Sequence, residues 1–221
     1  MTLKLCGFSA SNYYNQIKLQ LLEKQVPFEE EMVATGSTSP LVLERSPMGK
    51  VPFLDTGSGC ISESIACAEY IEAAYPQTPL LPADAFAAAK VRELVVYMEL
   101  HLELVARQLY LEAFFGGKVS DTSKQQAHEL LVRGAAGFAR IARFAPFVAG
   151  DRFTIADCAA IVHLPIVSGA SKLIYGEDLL AAMPVKEYVR ACGQRPAVQR
   201  VNEDRKTDTQ RLLAAQRTAN K

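Results

Sequence analysis

Hydrophobic and polar positions follow strand and helix periods in turn over the first third of the chain. Residues 3–8 alternate apolar and polar side chains with the period of two that predicts a β-strand. The next apolar positions, from Ile17 to Leu22, predict a helix, and residues 26–33 predict a second strand. The chain therefore begins with a strand–helix–strand pattern.

Two further helices and a hairpin complete this first part. A turn-rich loop over residues 35–40 precedes a short helix. The Gly-containing segment 56–59 separates two short apolar runs, which predicts a hairpin, and a last helix stops before Pro76. The predicted order is β-α-β-α-β-β-α, which is typical of a small α/β domain, and we assign it to residues 1–76.

The character of the chain changes after Pro76. Three prolines within seven residues predict a linker over 77–84. Beyond it the apolar positions have helical spacing, so we expect an all-α domain over 85–221 with a polar tail. The predicted helices of this part lie at 85–115, 123–144, 155–164, 183–192 and 198–213.

Composition supports a folded protein and excludes several functional classes. Of the 221 residues, 49% are hydrophobic and 22% are charged, which is ordinary for a globular chain. The 24 basic side chains balance the 24 acidic ones, so no net positive charge favours binding to nucleic acid or to a membrane surface. No apolar run approaches the roughly 18 residues of a membrane span, and the first residues lack an export signal. We therefore expect a cytoplasmic protein.

The cysteines predict neither disulfides nor a metal site. Their number is odd and no two have the spacing Cys-x-x-Cys, so we expect reduced, mostly buried thiols. A zinc site needs cysteine and histidine residues in a cluster, and the three isolated histidines do not supply one. The cysteines are Cys6, Cys60, Cys67, Cys158 and Cys192.

The turn after the first strand is the strongest candidate for chemistry. Its sequence, Ser9-Ala10-Ser11-Asn12-Tyr13-Tyr14, leads from a strand into a helix, so backbone N–H groups and a positive helix end lie beside its side chains. Redox proteins with a similar layout carry Cys-x-x-Cys there, because that field stabilises a thiolate. A serine can instead donate its O–H group to the thiolate of a bound molecule. The alternative is that Ser11 only caps the helix.

Two later segments could bind a peptide-like ligand. A cis bond before Pro52 would leave the backbone groups of Val51 free to pair with an extended ligand, and Lys50 could meet a carboxylate. Ser64 would offer its N–H group and hydroxyl to an anion at a helix start, while Glu63 could accept from an ammonium group. The alternatives are an edge-strand proline beside a solvated lysine, and simple helix capping.

Taken in this order, the three segments resemble the cytosolic glutathione transferase superfamily. The resemblance covers nearly the whole chain and rests on Ser11, on Pro47-x-Gly49-Lys50-Val51-Pro52 and on Glu63-Ser64. In the helical part, residues 150–157 resemble the folding motif of the family, in which Thr154 and Asp157 form a buried capping box away from the substrate. The resemblance implies a thioredoxin-like domain with a mixed four-stranded sheet, followed by an all-α helical bundle.

The resemblance also implies an enzyme that conjugates the glutathione thiolate to an electrophilic small molecule, as in detoxification by the serine-type, theta-like and zeta-like classes. Ser11 would donate to the sulfur, and Val51 would pair with the cysteinyl part beside cis-Pro52. Glu63 and Ser64 would hold the γ-glutamyl group, and Lys50 would lie near the glycyl end. Glutathione would be a co-substrate, and no metal is implied.

The acceptor pocket and the quaternary structure are implied in the same way. The pocket would lie between the domains and be lined by Tyr13, Tyr14, Arg107, Tyr110 and Phe114, and for the last three a core or interface role is the alternative. A homodimer is implied. Residues 1–80 carry 5 basic and 9 acidic side chains, which leaves 19 and 15 for residues 81–221, so halves of −4 and +4 could meet across its interface.

Some family signatures are absent from the turn after the first strand. The Ser-Ser-Cys-Ser run of the zeta-like isomerases is missing, so maleylacetoacetate isomerase activity is not expected. No cysteine stands there, which argues against thiol–disulfide exchange. Ser9 and Tyr13 compete with Ser11 as the donor to the sulfur. A glutathione-dependent peroxidase or isomerase, or a non-catalytic binding protein of the same fold, is the alternative function.

Overall fold

The computed structural model describes residues 2–219, in which four strands and a series of helices follow one another. The strands are β1 (Leu3–Gly7), β2 (Phe28–Met32), β3 (Phe53–Asp55) and β4 (Cys60–Ser62). The helices are α1 (Asn12–Glu23), α2 (Pro40–Arg45), α3 (Ser64–Ala74), α4 (Ala85–Tyr97), α5 (Leu104–Arg107), α6 (Tyr110–Phe115), α7 (Asp121–Ile141), α8 (Ile155–Tyr175), α9 (Val185–Cys192) and α10 (Pro196–Ala219). A π-helical segment, Met98–Glu103, joins α4 to α5.

The first part of the chain forms a mixed four-stranded sheet in the order β2-β1-β3-β4. Strands β1 and β2 are parallel and are joined through α1, whereas β3 is antiparallel to both β1 and β4. Cys6, Phe53 and Ser62 lie opposite one another across the three strands β1, β3 and β4. The predicted order of elements and the thioredoxin-like mixed sheet are therefore confirmed.

Each face of this sheet is covered because side chains alternate along the strands. Leu3, Leu5 and Leu54 point to one face and pack with apolar residues of α1 and α3. Cys6 and Phe53 point to the other face and pack with Val33, and Val42 of α2 lies against them. The sheet is thus the middle layer between α1 with α3 on one side and α2 on the other.

The chain divides into two compact units whose limits differ from the predicted boundaries. One unit is Met1–Leu80 together with Gly193–Lys221, and the other is Leu81–Cys192. Helix α10 thus belongs with the thioredoxin-like sheet rather than with the helical domain predicted over 85–221. The reason is a set of polar contacts with α1 described below, between residues too far apart in sequence for a helical period to encode.

The regular elements of the second unit are all helices in the described residues, apart from one β-bridge between Phe147 and Gly150, and α8 is its central helix. Thr154 caps this helix, and the buried Asp157 carboxylate accepts from the Thr154 N–H at 2.8 Å, so the two form a capping box. Asp157 also accepts from the Val148 N–H at 2.9 Å and from the Tyr188 hydroxyl at 2.7 Å. The box therefore also ties α8 to a preceding loop and to α9.

Helix α8 is long and apolar enough to cross a membrane by length and composition, although no such segment was expected from the sequence. In the most apolar window of this helix, 61% of the residues are buried inside the protein. A helix that spans a membrane would turn much of this surface to lipid. This degree of burial is that of a helix in the core of a folded unit.

Candidate active site

Three segments singled out from the sequence meet at one end of the sheet. Residues 8–11, which we call the first turn, follow the end of β1. Residues 51–52 precede the start of β3, and residues 63–64 follow the end of β4. Because β3 runs opposite to β1 and β4, all three lie beyond the row formed by Cys6, Phe53 and Ser62. Neighbouring strands are about 4.8 Å apart, so the three segments are close together.

Ser11 occupies the N-cap position of α1. Its backbone is extended, with φ −80° and ψ 125°, and its Oγ accepts a long hydrogen bond of 3.4 Å from the Tyr14 N–H. A hydroxyl has one hydrogen to donate besides its acceptor lone pairs. The cap and the donor role are therefore compatible, because the cap uses only an acceptor site.

The backbone of the first turn is held by groups from three places. The Ser11 N–H donates to the Phe8 carbonyl oxygen at 3.1 Å, and the Asn15 side-chain amide donates to the Ser9 carbonyl oxygen at 2.7 Å. The Ala10 N–H donates to the Asp208 carboxylate of α10 at 3.0 Å. The turn is thus fixed locally and also by a residue 198 positions away.

Val51 and Pro52 form a cis peptide bond beside the first turn. A side chain at Gly7 would lie 2.5 Å from the Tyr14 ring and 3.2 Å from the Val51 side chain, so β1 ends in close contact with both. Within residues 2–219, no protein group bonds to the Val51 N–H or C=O. These two backbone groups are available to an extended ligand.

Glu63 and Ser64 begin helix α3. Glu63 has φ +68° and ψ 125°, a conformation that residues other than glycine seldom adopt. Its side chain is exposed, whereas Ser64 is buried at the first helical position. The N-termini of α1 and α3 therefore both lie at this end of the sheet, and both attract negative charge.

Lys50 stands on a loop that its neighbours fix. Its ammonium group is exposed, and its carbonyl oxygen accepts from the Ser46 hydroxyl at 2.8 Å. Gly49 has φ +60°, and a Cβ there would lie 2.1 Å from the Ser37 carbonyl oxygen, so only glycine fits. The backbone before Val51 is held while the Lys50 side chain stays in solvent.

Tyr14 does not fit the prediction that it lines an acceptor pocket. It is 1% exposed in the core of the first unit, and its hydroxyl donates to Glu30 of β2 at 2.6 Å. Burial and the neighbouring carboxylate raise its pKa well above the ordinary value. Tyr14 lies on the face of α1 that packs against the sheet, whereas Tyr13, one residue earlier, is only partly buried.

The other predicted pocket residues lie in the second unit, where they contact one another. The Arg107 guanidinium pairs with the buried Glu103 carboxylate at 2.5 Å and lies 5.5 Å from the Tyr110 ring centre. The Tyr110 hydroxyl also donates to Glu103, at 3.2 Å, and the Phe114 ring meets Tyr110 edge-on. Tyr110 is buried, whereas Arg107 and Phe114 keep exposed surface. Glu103, which orients two of them, was not predicted.

The cysteine of β1 is not poised for thiol chemistry. Burial and the nearby Glu31 carboxylate raise the pKa of Cys6 to about 12, so its thiol stays protonated at neutral pH. The cysteines at all five positions are free. Within the described part of the chain, no group of three His, Cys, Asp or Glu side chains could hold a metal ion.

These features define a class of protein: a thioredoxin-like domain whose sheet end offers a serine hydroxyl, a cis-proline turn and two helix N-termini in place of a dithiol. Residues 5–79 match the family model described as "Glutathione S-transferase, N-terminal domain". This match lies within the first unit and includes all three segments at the end of the sheet.

Comparison with known proteins extends the match to most of the chain. A glutathione S-transferase of Pseudomonas putida is 44% identical over 204 residues, which are 92% of either chain. A maleylpyruvate isomerase of Ralstonia sp is 29% identical and is matched over 90% of this chain and 95% of its own. The solved structure of a glutathione S-transferase III in apo form has a TM-score of 0.72 at 29% identity, covering 92% of this chain and 96% of the other.

The chain belongs to the glutathione S-transferase family. The resemblance found from the residues is thereby confirmed, and so is the enzyme class that it implied. Two contributors near the site were missed in the sequence, Asn15 and Asp208. Asn15 is an ordinary polar residue inside a helix, and Asp208 lies in a polar tail, so neither carries a local signal.

Proposed function

We propose that this protein conjugates the thiolate of glutathione to a small electrophilic molecule, with the Ser11 hydroxyl donating a hydrogen bond to the sulfur. The observation that carries the proposal is the position of Ser11 at the N-cap of α1, at the sheet end that Val51 and Glu63 also flank. In the reaction the sulfur attacks an electrophilic carbon, a C–S bond forms, and the leaving group departs with its electron pair.

Ser11 has the means to keep the sulfur ionised. Its hydroxyl hydrogen is available because the cap uses only the oxygen as acceptor, and the positive end of α1 adds a favourable field. Lowering a thiol pKa by two units needs about 2.7 kcal/mol, the size of one charge-assisted hydrogen bond with a helix terminus. A serine at this position therefore suffices without a general base.

The remaining segments suit the rest of the tripeptide. We assign the unpaired Val51 backbone groups, beside cis-Pro52, to the cysteinyl part of glutathione. We assign Glu63 to its ammonium group and Ser64, at the start of α3, to the γ-glutamyl carboxylate. The exposed Lys50 is assigned to the glycyl carboxylate.

For the electrophile we retain two separate candidates, Tyr13 in the first unit and the cluster of Arg107, Tyr110 and Phe114 in the second unit. Arg107 and Phe114 have exposed surface to offer an anionic or aromatic acceptor, and Tyr110 supports both. Tyr14 is withdrawn because it is buried. We further propose a homodimer that acts in the cytoplasm in detoxification, with no metal.

A glutathione-dependent isomerisation is the second candidate. The maleylpyruvate isomerase of Ralstonia sp matches 90% of this chain at 29% identity, and the isomerase activity in its name is the basis of this candidate. The sequence Ser11-Asn12-Tyr13-Tyr14 departs from the Ser-Ser-Cys-Ser run of zeta-like isomerases. Turnover of a maleyl substrate faster than of any aryl halide would favour this candidate over conjugation.

The test replaces Ser11 by alanine. We expect kcat/KM for conjugation to fall by about 100-fold, the usual loss when one preorganised donor to a developing anion is removed. The KM for glutathione should change little, because the anchors Val51, Glu63 and Ser64 stay in place. Titration of the thiolate absorption of the bound glutathione measures the accompanying rise in the thiol pKa.

Two matched variants decide between Ser11 and its rivals. Ser9→Ala removes a hydroxyl from the first turn, and Tyr13→Phe removes the phenolic hydroxyl at the second residue of α1. We expect both to keep the thiol pKa of the wild type. If either raises it while Ser11→Ala does not, the donor is that residue and the assignment to Ser11 is wrong.

A further inference from the structure

Helix α10 lies antiparallel along α1, and three polar contacts join the segments 195–208 and 10–23. Arg195, the residue before α10, pairs with Glu23 at the end of α1, at 2.5 Å. Nearer the middle of both helices, Asp204 of α10 pairs with Lys18 of α1 at 2.8 Å. Beyond the start of α1, the Asp208 carboxylate accepts from the Ala10 N–H at 3.0 Å. The third contact reaches the first turn itself.

Asp208 is itself fixed in place. It is 7% exposed, and the Arg211 guanidinium on the next turn of α10 pairs with its other carboxylate oxygen at 2.5 Å. A carboxylate held between a backbone N–H and a guanidinium has little freedom to move. Its position therefore transmits the position of α10 to the backbone between Ser9 and Ser11.

The Ala10 N–H is a backbone donor of the first turn whose acceptor lies in a distant part of the chain. The Ser11 N–H donates to the Phe8 carbonyl oxygen, and the Ser9 carbonyl oxygen accepts from the Asn15 side-chain amide. Both partners lie within a few residues in sequence. The Ala10 N–H instead relies on a side chain 198 positions away. Removing that acceptor would free the peptide that leads directly into Ser11.

We propose that Asp208 is a positioning residue for the reaction: by holding the Ala10 N–H it fixes the first turn so that the Ser11 hydroxyl points at the glutathione sulfur. The inference rests on the proposed role of Ser11. Asp208 acts here through the backbone and not by touching the sulfur or the electrophile. Helix α10, which carries Asp208, thereby contributes to stabilising the thiolate.

The experiment compares Asp208→Ala and Asp208→Asn in the full chain, with the thiol pKa of bound glutathione as the main measurement. Asp208→Ala removes the acceptor, and we expect kcat to fall about tenfold and the thiol pKa to rise by about one unit, as for one lost hydrogen bond to a charged group. The KM for glutathione should stay within about twofold, since the tripeptide anchors are untouched. Asp208→Asn keeps an amide oxygen that can accept from Ala10, so we expect it to restore nearly all of the wild-type behaviour.

Asp204→Ala is the matched control, because it removes a carboxylate from the same helix one turn earlier without touching the first turn. If it raises the thiol pKa as much as Asp208→Ala, a general loosening of α10 explains the effect and the proposal is overturned. If Asp208→Ala and Asp208→Asn both lower the thiol pKa, the carboxylate acts by its charge, which also overturns it. Wild-type values in both Asp208 variants would have the same consequence.

Ser11→Ala, measured in the same titration, distinguishes a failure of the positioning role of Asp208 from a failure of the proposed donor role of Ser11. Equal thiol pKa values in the wild type and in Ser11→Ala would reject the role of Ser11 whatever Asp208 does. A raised pKa in Ser11→Ala with an unchanged pKa in Asp208→Ala rejects the positioning role alone. Circular dichroism confirms that each variant is folded before it is titrated.

Discussion

Glu63 holds a backbone conformation that costs stability at the position where a glutathione anchor is proposed. With φ +68° and ψ 125° it lies in a region that residues with a Cβ enter at a cost of about 1–3 kcal/mol. Such a residue persists only where the surrounding structure imposes it, and outliers of this kind cluster at binding sites. The conformation therefore supports a role for Glu63 that a simple helix cap would not require.

This leads to a prediction that separates the backbone from the side chain of Glu63. Replacement by glycine and by alanine both remove the carboxylate, so both should weaken glutathione binding by about tenfold, as expected for a lost charge-assisted hydrogen bond. Only glycine relieves the backbone, so Glu63→Gly should be more stable than Glu63→Ala by about 1 kcal/mol after the entropy of glycine is deducted. Urea unfolding and calorimetric titration measure the two quantities, and equal stabilities would show that the backbone is not strained.

Residue types at the first turn were informative because their chemistry depends on local geometry. A serine between a strand and a helix is an N-cap candidate on any fold, and the structure has Ser11 as the cap. The sequence could not separate a cap from a donor, since one hydroxyl can serve as both. The same limit applies to Tyr13 and Tyr14, adjacent in sequence and alike in chemistry, of which only Tyr14 is fully buried.

At the scale of single elements, α8 shows how packing overrides local preference. The periodicity predicted a helix over 155–164, which stops at Pro165, whereas the helix continues to Tyr175. An internal proline removes one hydrogen bond and costs about 3 kcal/mol or more. Val167, Ala170 and Ser171 beyond it are buried, and this burial offsets the cost.

The start of α8 gives the prediction at this scale. Asp157→Ala leaves the Thr154 N–H, the Val148 N–H and the Tyr188 hydroxyl without their buried acceptor, so the free energy of unfolding should fall by about 3–5 kcal/mol. Denaturant unfolding measures the change. Asp151→Ala, an exposed residue of the same loop, is the control and should lie within about 0.5 kcal/mol of the wild type. A loss of under 1 kcal/mol for Asp157→Ala would contradict the structural role of the box.

For the whole molecule, a histidine in the second unit predicts how stability depends on pH. Complete burial of His163 in α8 lowers its pKa from 6.5 to about 4, so the imidazole stays neutral in the folded protein. Between these values the unfolded chain binds more protons than the folded one, so stability rises with pH and is lost as the pH falls from about 6.5 towards 4.

His163→Gln should remove this part of the pH dependence. On the two pKa values, His163 accounts for roughly 2 kcal/mol of the stability lost between pH 7 and pH 5. The difference in unfolding free energy between these pH values should therefore be smaller in the variant than in the wild type by about that amount. Urea unfolding at both pH values measures it, and because both proteins share all carboxylates, identical losses would show that His163 titrates normally.

The grouping of α10 with the first unit is also a property of the whole molecule, and it is seen in the burial of Lys18. Lys18 is 1% exposed, and its ammonium group lies between Glu30 at 2.6 Å and Asp204 at 2.8 Å. A lysine is seldom fully buried unless its charge is paired, and here the two carboxylates supply the pairing. Helix α10 contributes one of them and covers this face of α1, which accounts for the buried polar residues along α1.

The sequence by itself determined the order of strands and helices in the first part, its α/β class, Ser11 as a candidate helix cap and the Thr154–Asp157 box, whereas the single helix predicted over 85–115 is divided in the structure into α4, a π-helical segment, α5 and α6. Each depends on residues a few positions apart, whose periods and side-chain chemistry are visible in a linear chain. Tertiary structure alone decided that Tyr14 and Lys18 are buried, that α10 joins the first unit and that Asp208 holds the Ala10 N–H. These depend on pairs of residues from distant parts of the chain, which only packing brings within hydrogen-bond distance.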